Sequence, residues 1–63
     1  NRGFRRSLYA VKDIKQGEKL TTDNVRSLRP QVGLFPRFYD EVLTKQAKQD
    51  IERGTPLTWD LLV

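Results

Sequence analysis

Few side chains in this sequence are equipped for chemistry, and their types narrow what it can do. There is no cysteine and no histidine. A thiol nucleophile, a thiolate zinc site, a histidine general base and a Ser-His-Asp arrangement are therefore excluded from the chain alone. Asp40-Glu41 is the only adjacent carboxylate pair, and on a helix neighbouring side chains diverge, so it reads as solvated surface rather than an acid–base couple. Arg29 precedes Pro30, which biases the residue before it toward extended backbone, and its guanidinium offers several planar donors that stay charged at neutral pH. Taken alone, such an arginine reads as one that pairs with an acid on a surface loop. No catalytic residue and no metal-ligand set is assigned.

The other basic groups are unevenly spread. Lys and Arg number 12 against 8 acids, a net charge of +4, and residues 1–31 hold eight of the basic groups but three of the acids. Arg2, Arg5, Arg6, Lys12, Lys15, Lys19, Arg26 and Arg29 could together line a phosphate-binding surface. The signatures of nucleic-acid binders are missing, however: no aromatic-interleaved strand motif, no GxxG clamp between helices, no helix-turn-helix pattern. The preferred reading is a solvated face or a linker against an acidic neighbouring domain, with no nucleic-acid partner. Gly3, Asp13 and Gly17 break any basic helical face, which argues against a membrane-surface helix. Mean hydropathy is −0.68, and no apolar run approaches the ~20 residues of a membrane span. A soluble, cytoplasmic segment is expected.

The strongest internal signal in the sequence is a repeat. Offset by 37 residues, the distance from Ile14 to Ile51, the chain matches itself at Asp13 and Asp50, Ile14 and Ile51, Gly17 and Gly54, Leu20 and Leu57, Thr21 and Thr58, and Asp23 and Asp60, with Val25 against Leu62. The pattern D-I-x-x-G-x-x-L-T-x-D-x-[VL] thus occurs twice, as expected of a duplicated supersecondary unit. In each unit the isoleucine anchors the core, the glycine closes a tight turn at positive φ, and the leucine returns to the core. Thr21 and Thr58 then cap a short helix with Asp23 or Asp60 in its first turn.

Around the repeat, Leu8 to Val11 is predicted as a first strand and Val25 to Arg29 as a second, irregular or edge strand. Pro30, Gly33 and Pro36 make Arg29 to Pro36 a loop. Pro36 opens a short helix on which Tyr39, Val42 and Leu43 share a face, and Lys45 to Gln49 is a weak strand. The fold class is mainly β with short 3-10 and α turns, organised about a pseudo-twofold. Trp59 and Phe38 are assigned to packing, because large aromatics in so small a core usually pack. At 63 residues, beginning on Asn1 and ending on the apolar Leu61-Leu62-Val63, the segment is expected to be one domain of a longer chain, with residues 1–6 as the end of a linker and the start of the first strand.

Five stretches carry a family resemblance: Phe4 to Tyr9, Val11 to Glu18, Asn24 to Pro30, Ala47 to Ile51 and Arg53 to Asp60. In F-R-R-S-L-Y, R-S-x-R-P and R-G-T-P-L-x-W-D, in that order, the chain resembles the SAF, or antifreeze-like, domain at the C-terminus of bacterial N-acetylneuraminate (sialic acid) synthases and their pseudaminate and legionaminate relatives. The resemblance implies a β-clip fold. It also implies a parent enzyme that condenses phosphoenolpyruvate with an N-acylated amino sugar for surface polysaccharide or glycan biosynthesis. The chemistry would belong to a (β/α)₈ barrel of ~250 residues, absent from this segment, with a divalent metal (Mn or Mg). No cofactor is expected in the segment itself. In the family this domain covers the barrel of the neighbouring subunit in a homodimer, and an arginine of its R-P element reaches the sugar's N-acyl group. Arg29 is the matching position, the one substrate-binding residue implied. Arg5 and Arg6 are read as structural or interdomain.

The chain departs from the family where Gly-Asn or Gly-Tyr usually follows the R-P pair and where His often precedes the later proline: Gln31, Val32 and Phe35 stand there, and Thr44 replaces a glycine. The loop nearest the sugar is therefore this chain's own. The fold is also that of fish type III antifreeze proteins, but Lys12, Asp13, Gln16, Lys19 and Asp23 occupy much of the corresponding ice surface, with only Thr21 and Gln46 resembling its residues. Charged groups keep their hydration, so ice is not an expected partner. Pilus and flagellar assembly proteins and sugar-acid dehydratases also carry this fold, but the R-P and T-P-L-x-W-D elements point to the synthases.

Overall fold

Gly17 and Gly54 stand at φ of 86° and 90°, the left-handed region that a Cβ disfavours. Each closes a turn between a buried isoleucine and a buried leucine. The structure, a computed structural model, describes residues 5–63; expectations that involve Asn1 to Phe4, including Arg2, Gly3 and the first residue of F-R-R-S, lie outside the described residues.

The two repeat units meet antiparallel, and equivalent residues bond to one another. Ile14 N–H donates to Ile51 O at 2.8 Å, and Ile51 N–H to Ile14 O at 2.7 Å. Away from this pair the bonds come in twins related by the same 37-residue offset. Gly17 N–H donates to Ala47 O at 2.8 Å and Gly54 N–H to Ala10 O at 2.7 Å; Ala47 N–H reaches Glu18 O at 2.9 Å and Ala10 N–H reaches Thr55 O at 3.0 Å. The aspartates of the repeat obey it too. Asp50 Oδ1 accepts from Gln16 N–H and Asp13 Oδ1 from Arg53 N–H, both at 2.8 Å, so each unit's carboxylate satisfies the other's turn.

One core results. Its buried apolar residues are Leu8, Ala10, Ile14, Leu20, Val25, Val42, Ala47, Ile51, Leu57 and Leu62. All but Leu8 and Val42 form repeat pairs: Ala10 with Ala47, Ile14 with Ile51, Leu20 with Leu57, Val25 with Leu62. Strand β1 (Ser7–Ala10) pairs antiparallel with β2 (Val25–Leu28), Ser7 opposite Leu28 and Ala10 opposite Val25. The first strand lies one residue earlier than the pattern predicts and the second stops one residue sooner. Val11 bends off the ladder to donate to Asn24 O at 2.9 Å. In the second unit the equivalent contact, Ala47 with Leu62, is a single bridge, so the strand predicted over 45–49 reduces to bridges at Gln46 and Ala47.

Pro36 does open a helix. A 3-10 turn over Pro36–Phe38 runs directly into α1 (Tyr39–Val42), with Val42 buried, Tyr39 packed against the core and Asp40 and Glu41 exposed. Thr44, at the position of the usual glycine, ends it by donating its hydroxyl to Glu41 O at 2.6 Å; no described non-glycine residue has positive φ.

The capping expectation is half corrected. In the second unit Thr58, extended at φ −134° and ψ 160°, precedes a 3-10 turn over Trp59–Leu61 with Asp60 in it, but its hydroxyl pairs with the Asp60 carboxylate and makes no cap bond to backbone. In the first unit Thr22 to Asn24 is a turn, not a helix. There Thr21 Oγ1 does accept from Asp23 N–H at 3.2 Å, and buried Asn24 braces the turn: its Oδ1 accepts from Thr21 N–H at 2.7 Å and its Nδ2 donates to Lys19 O at 3.0 Å. Its equivalent, Leu61, has no amide, and the backbone bond common to both turns, Asn24 N–H to Thr21 O at 3.2 Å and Leu61 N–H to Thr58 O at 3.1 Å, closes each.

A Cβ added at Gly17 or Gly54 would meet nothing within 4 Å, so only backbone conformation resists it. Gly17→Ala and Gly54→Ala should each cost about 1–2 kcal/mol in urea unfolding, by similar amounts; a cost confined to one of them would break the equivalence of the units.

Candidate functional site

Alternate residues of a strand share a face, and on β1 that places the hydroxyls of Ser7 and Tyr9 on one side. Both reach the connector that follows β2. Ser7 Oγ donates to Pro30 O at 3.2 Å and accepts from Val32 N–H at 3.2 Å, while Tyr9 Oη donates to Pro30 O at 2.7 Å. The Arg29–Pro30 peptide is cis. The far end of the loop is held by Leu34, whose N–H donates to Leu57 O at 2.8 Å and whose carbonyl accepts from Leu8 N–H at 2.9 Å. Gly33 lies so close to the Leu57 backbone that a Cβ there would fall 3.0 Å from Leu57 N and closer still to Leu57 O. Arg29, exposed, thus sits on a loop tied down at both ends.

The ladder decides which basic residues join it. Ser7 faces Leu28, so Arg6 and Arg29 flank the same end of the sheet, and Arg6 Nη1 donates to Ser27 O at 3.2 Å. Arg5, Arg6, Gln31, Phe35, Pro36 and Arg37 line an open groove of about 300 Å³. Through Pro36 it adjoins a second, of about 360 Å³, that includes Arg26 and Tyr39. Lys15 is elsewhere, beside Asp13, Asp50 and Glu52 at the repeat interface, and Lys12 and Lys19 line none of these grooves. The single basic surface drawn from the sequence therefore divides. Antiparallel pairing gathers the arginines at one end, and the Gly17 turn carries lysines away.

Of the two aromatics assigned to packing, one is half-exposed. Phe38 packs against the core, but Trp59 is 40% exposed, resting edge-on against Phe38 with ring centroids 5.5 Å apart. Phe35 and Phe38 stack in parallel at 6.4 Å, with the Arg37 guanidinium 5.5 Å and 4.9 Å from their centroids. Sequence reasoning missed Ser7, Tyr9 and Arg37 as members of this site. The alternation of Ser7 and Tyr9 on a predicted strand, and the flanking of Arg37 by aromatics, were signals that could have found them.

The SAF domain model matches residues 5–63. The chain belongs to the SAF domain family. It is 58% identical over 57 residues to a pseudaminic acid synthase of Campylobacter jejuni, covering 90% of this chain and 17% of that protein. To the pseudaminic acid synthase of Helicobacter pylori it is 48% identical over 59 residues, 94% of this chain and 17% of that protein. A crystal structure of a spore coat polysaccharide biosynthesis protein from Bacillus subtilis superimposes with a TM-score of 0.83 at 32% identity, covering 98% of this chain and 19% of that one. The chain therefore spans about a sixth of the curated relatives it matches. The family and fold implied by the sequence motifs are those found. No group of three His, Cys, Asp or Glu among the described residues of this SAF domain could hold a metal ion, so no step through a metal is derived for it. No described helix is long and apolar enough to cross a membrane.

Ser7 is fully buried and joins two backbone groups, so Ser7→Ala should cost about 1–3 kcal/mol and Tyr9→Phe about 0.5–1.5 kcal/mol in chemical denaturation, with faster amide exchange at Val32 in the former. Gly33→Ala, forced against backbone rather than a flexible side chain, should cost at least about 1–3 kcal/mol by the same measurement.

Proposed function

We propose that this SAF domain is the substrate-capping and subunit-contact module of a sialic acid synthase-type enzyme that condenses phosphoenolpyruvate with an N-acyl amino sugar in polysaccharide or glycan biosynthesis. The observation that carries the reading is the 58% identity, over nine-tenths of the chain, to a pseudaminic acid synthase. A chain without cysteine or histidine supplies neither the usual nucleophile nor the usual base. In this reading carbon–carbon bond formation and the divalent metal, Mn or Mg, belong to the barrel of the parent enzyme. This domain contributes a lid over the neighbouring subunit's barrel in a cytoplasmic homodimer.

Within that lid Arg29 donates to the carbonyl of the acceptor's N-acyl group. A hydrogen bond from a charged donor is worth about 1.5–3 kcal/mol, and it is worth most when the donor arrives pre-positioned. The hydroxyls of Ser7 and Tyr9 supply that positioning through the Pro30 carbonyl. Gln31, two residues on, and Phe35 lie in the adjoining groove, where they bear on which acceptor is preferred. An ice-binding role is not proposed, since Lys12, Asp13, Gln16, Lys19 and Asp23 are all exposed and keep their water.

In the full-length enzyme, Arg29→Ala should lower kcat/KM for the amino sugar about tenfold or more, with the KM for phosphoenolpyruvate little changed and the fold intact by circular dichroism. Unchanged kinetics toward the sugar would overturn the assignment.

A further inference from the structure

Tyr9 obeys the repeat with its backbone and departs from it with its side chain. Its twin at the 37-residue offset is Gln46. Tyr9 pairs with Arg26 on β2 and bridges Pro56 in the second unit. Gln46 exchanges backbone bonds with Val63 and bridges Lys19, the twins of Arg26 and Pro56. An exposed glutamine thus holds the same main-chain station, so the frame does not require an aromatic ring at position 9. The phenol serves a segment that has no twin: its Oη donates to Pro30 O at 2.7 Å, in the connector.

What that bond fixes follows from proline geometry. The Pro30 ring locks its own φ, so once the carbonyl is held, ψ of Pro30 is the one torsion left between it and the Arg29 peptide. On the other side Leu28 is held in the ladder opposite Ser7. Arg29 is suspended between two points fixed by β1. A tyrosine reaches the carbonyl through only two side-chain torsions, and its base stands on the bridge to Pro56. The neighbouring Leu57 carbonyl accepts from Leu34 N–H at 2.8 Å, so both ends of the connector are registered against the same turn of the second unit.

Ser7 holds the same carbonyl, but it is fully buried and also accepts from Val32 N–H, so its loss disturbs the fold itself. Tyr9 is half-buried and its hydroxyl bond lies at the exposed edge. Removing that oxygen frees the loop while the core keeps its packing.

We propose that Tyr9 is a positioning residue for the amino-sugar step, an inference that rests on the Arg29 reading and assigns the part of its positioning that is separable from stability. Tyr9 and Arg29 then act toward the sugar as one unit, through Pro30.

The test has two arms. In the 63-residue chain, ¹⁵N relaxation of Tyr9→Phe should show lower order parameters at Arg29 Nε and at the Gln31 amide, with the Ile14 and Ile51 amides unchanged. In the full-length parent enzyme, Tyr9→Phe should lower kcat/KM for the acceptor amino sugar about two- to tenfold, the worth of one hydrogen bond, and leave the KM for phosphoenolpyruvate unchanged. Added to Arg29→Ala it should cost nothing more, because residues that act as a unit are not additive. Tyr9→Gln, which installs the residue of the twin, should fold and match Tyr9→Phe in both arms. Order at Arg29 indifferent to Tyr9→Phe, sugar kinetics unchanged by it, an equal loss toward phosphoenolpyruvate, or losses that multiply in the double variant would each overturn the inference while the Arg29 assignment stood. Arg29→Ala without effect on the sugar would overturn both.

Discussion

Everything in this domain is arranged about one reciprocal contact, the paired N–H to O bonds between Ile14 and Ile51. Each residue is the repeat equivalent of the other, so the contact lies on the pseudo-twofold. Once it forms, the remaining twin bonds come into register, from the glycine turns to the crossed Asp13 and Asp50 carboxylates. The net value of each bond is only about 0.5–1.5 kcal/mol, but each is made twice and each orders two segments distant in sequence. That matters in a chain whose described regular strands are four residues long. A domain of this size buries roughly 60% of the surface its unfolded chain exposes, too little for burial alone to single out one arrangement of such short pieces.

The candidate site lies where this symmetry lapses. Arg29, Pro30, Gln31, Gly33, Phe35 and Arg37 all fall in the connector between the two units, which has no partner in the repeat. The duplicated part supplies a scaffold, and the connector, free of the requirement to match a twin, carries the distinctive side chains. It is nevertheless not loose. The Ser7 and Tyr9 hydroxyls hold the Pro30 carbonyl, and Gly33 packs on the Leu57 backbone. Function on a loop fixed by a rigid frame is a common solution, and here the frame is the symmetric core.

The aromatic and arginine residues around Pro36 give this end its physical character. Phe38 bridges core and surface: it packs inward while offering an edge contact to Trp59 and a cation–π contact to Arg37. The stacking at Phe35 and Phe38 thereby orients a guanidinium that is otherwise exposed. In the same way Arg6 is steadied by Ser27 O. These are modest interactions individually, but they turn mobile cations into a patterned surface.

The sequence by itself determined the repeat, the glycine positions, the identity of the core pairs and the family, because each depends on residue type at fixed spacing: only glycine readily takes positive φ, and recurring apolar positions must be buried. It also marked Arg29-Pro30 as the element to watch. Tertiary structure alone decided that Ser7 and Tyr9 anchor that element, and that Arg5, Arg6, Arg26 and Arg37 gather while the lysines disperse. These outcomes rest on contacts between residues 20 or more positions apart. Composition and periodicity do not record which chain segment lies beside which, and that adjacency is what makes a hydroxyl a brace and an arginine part of a site.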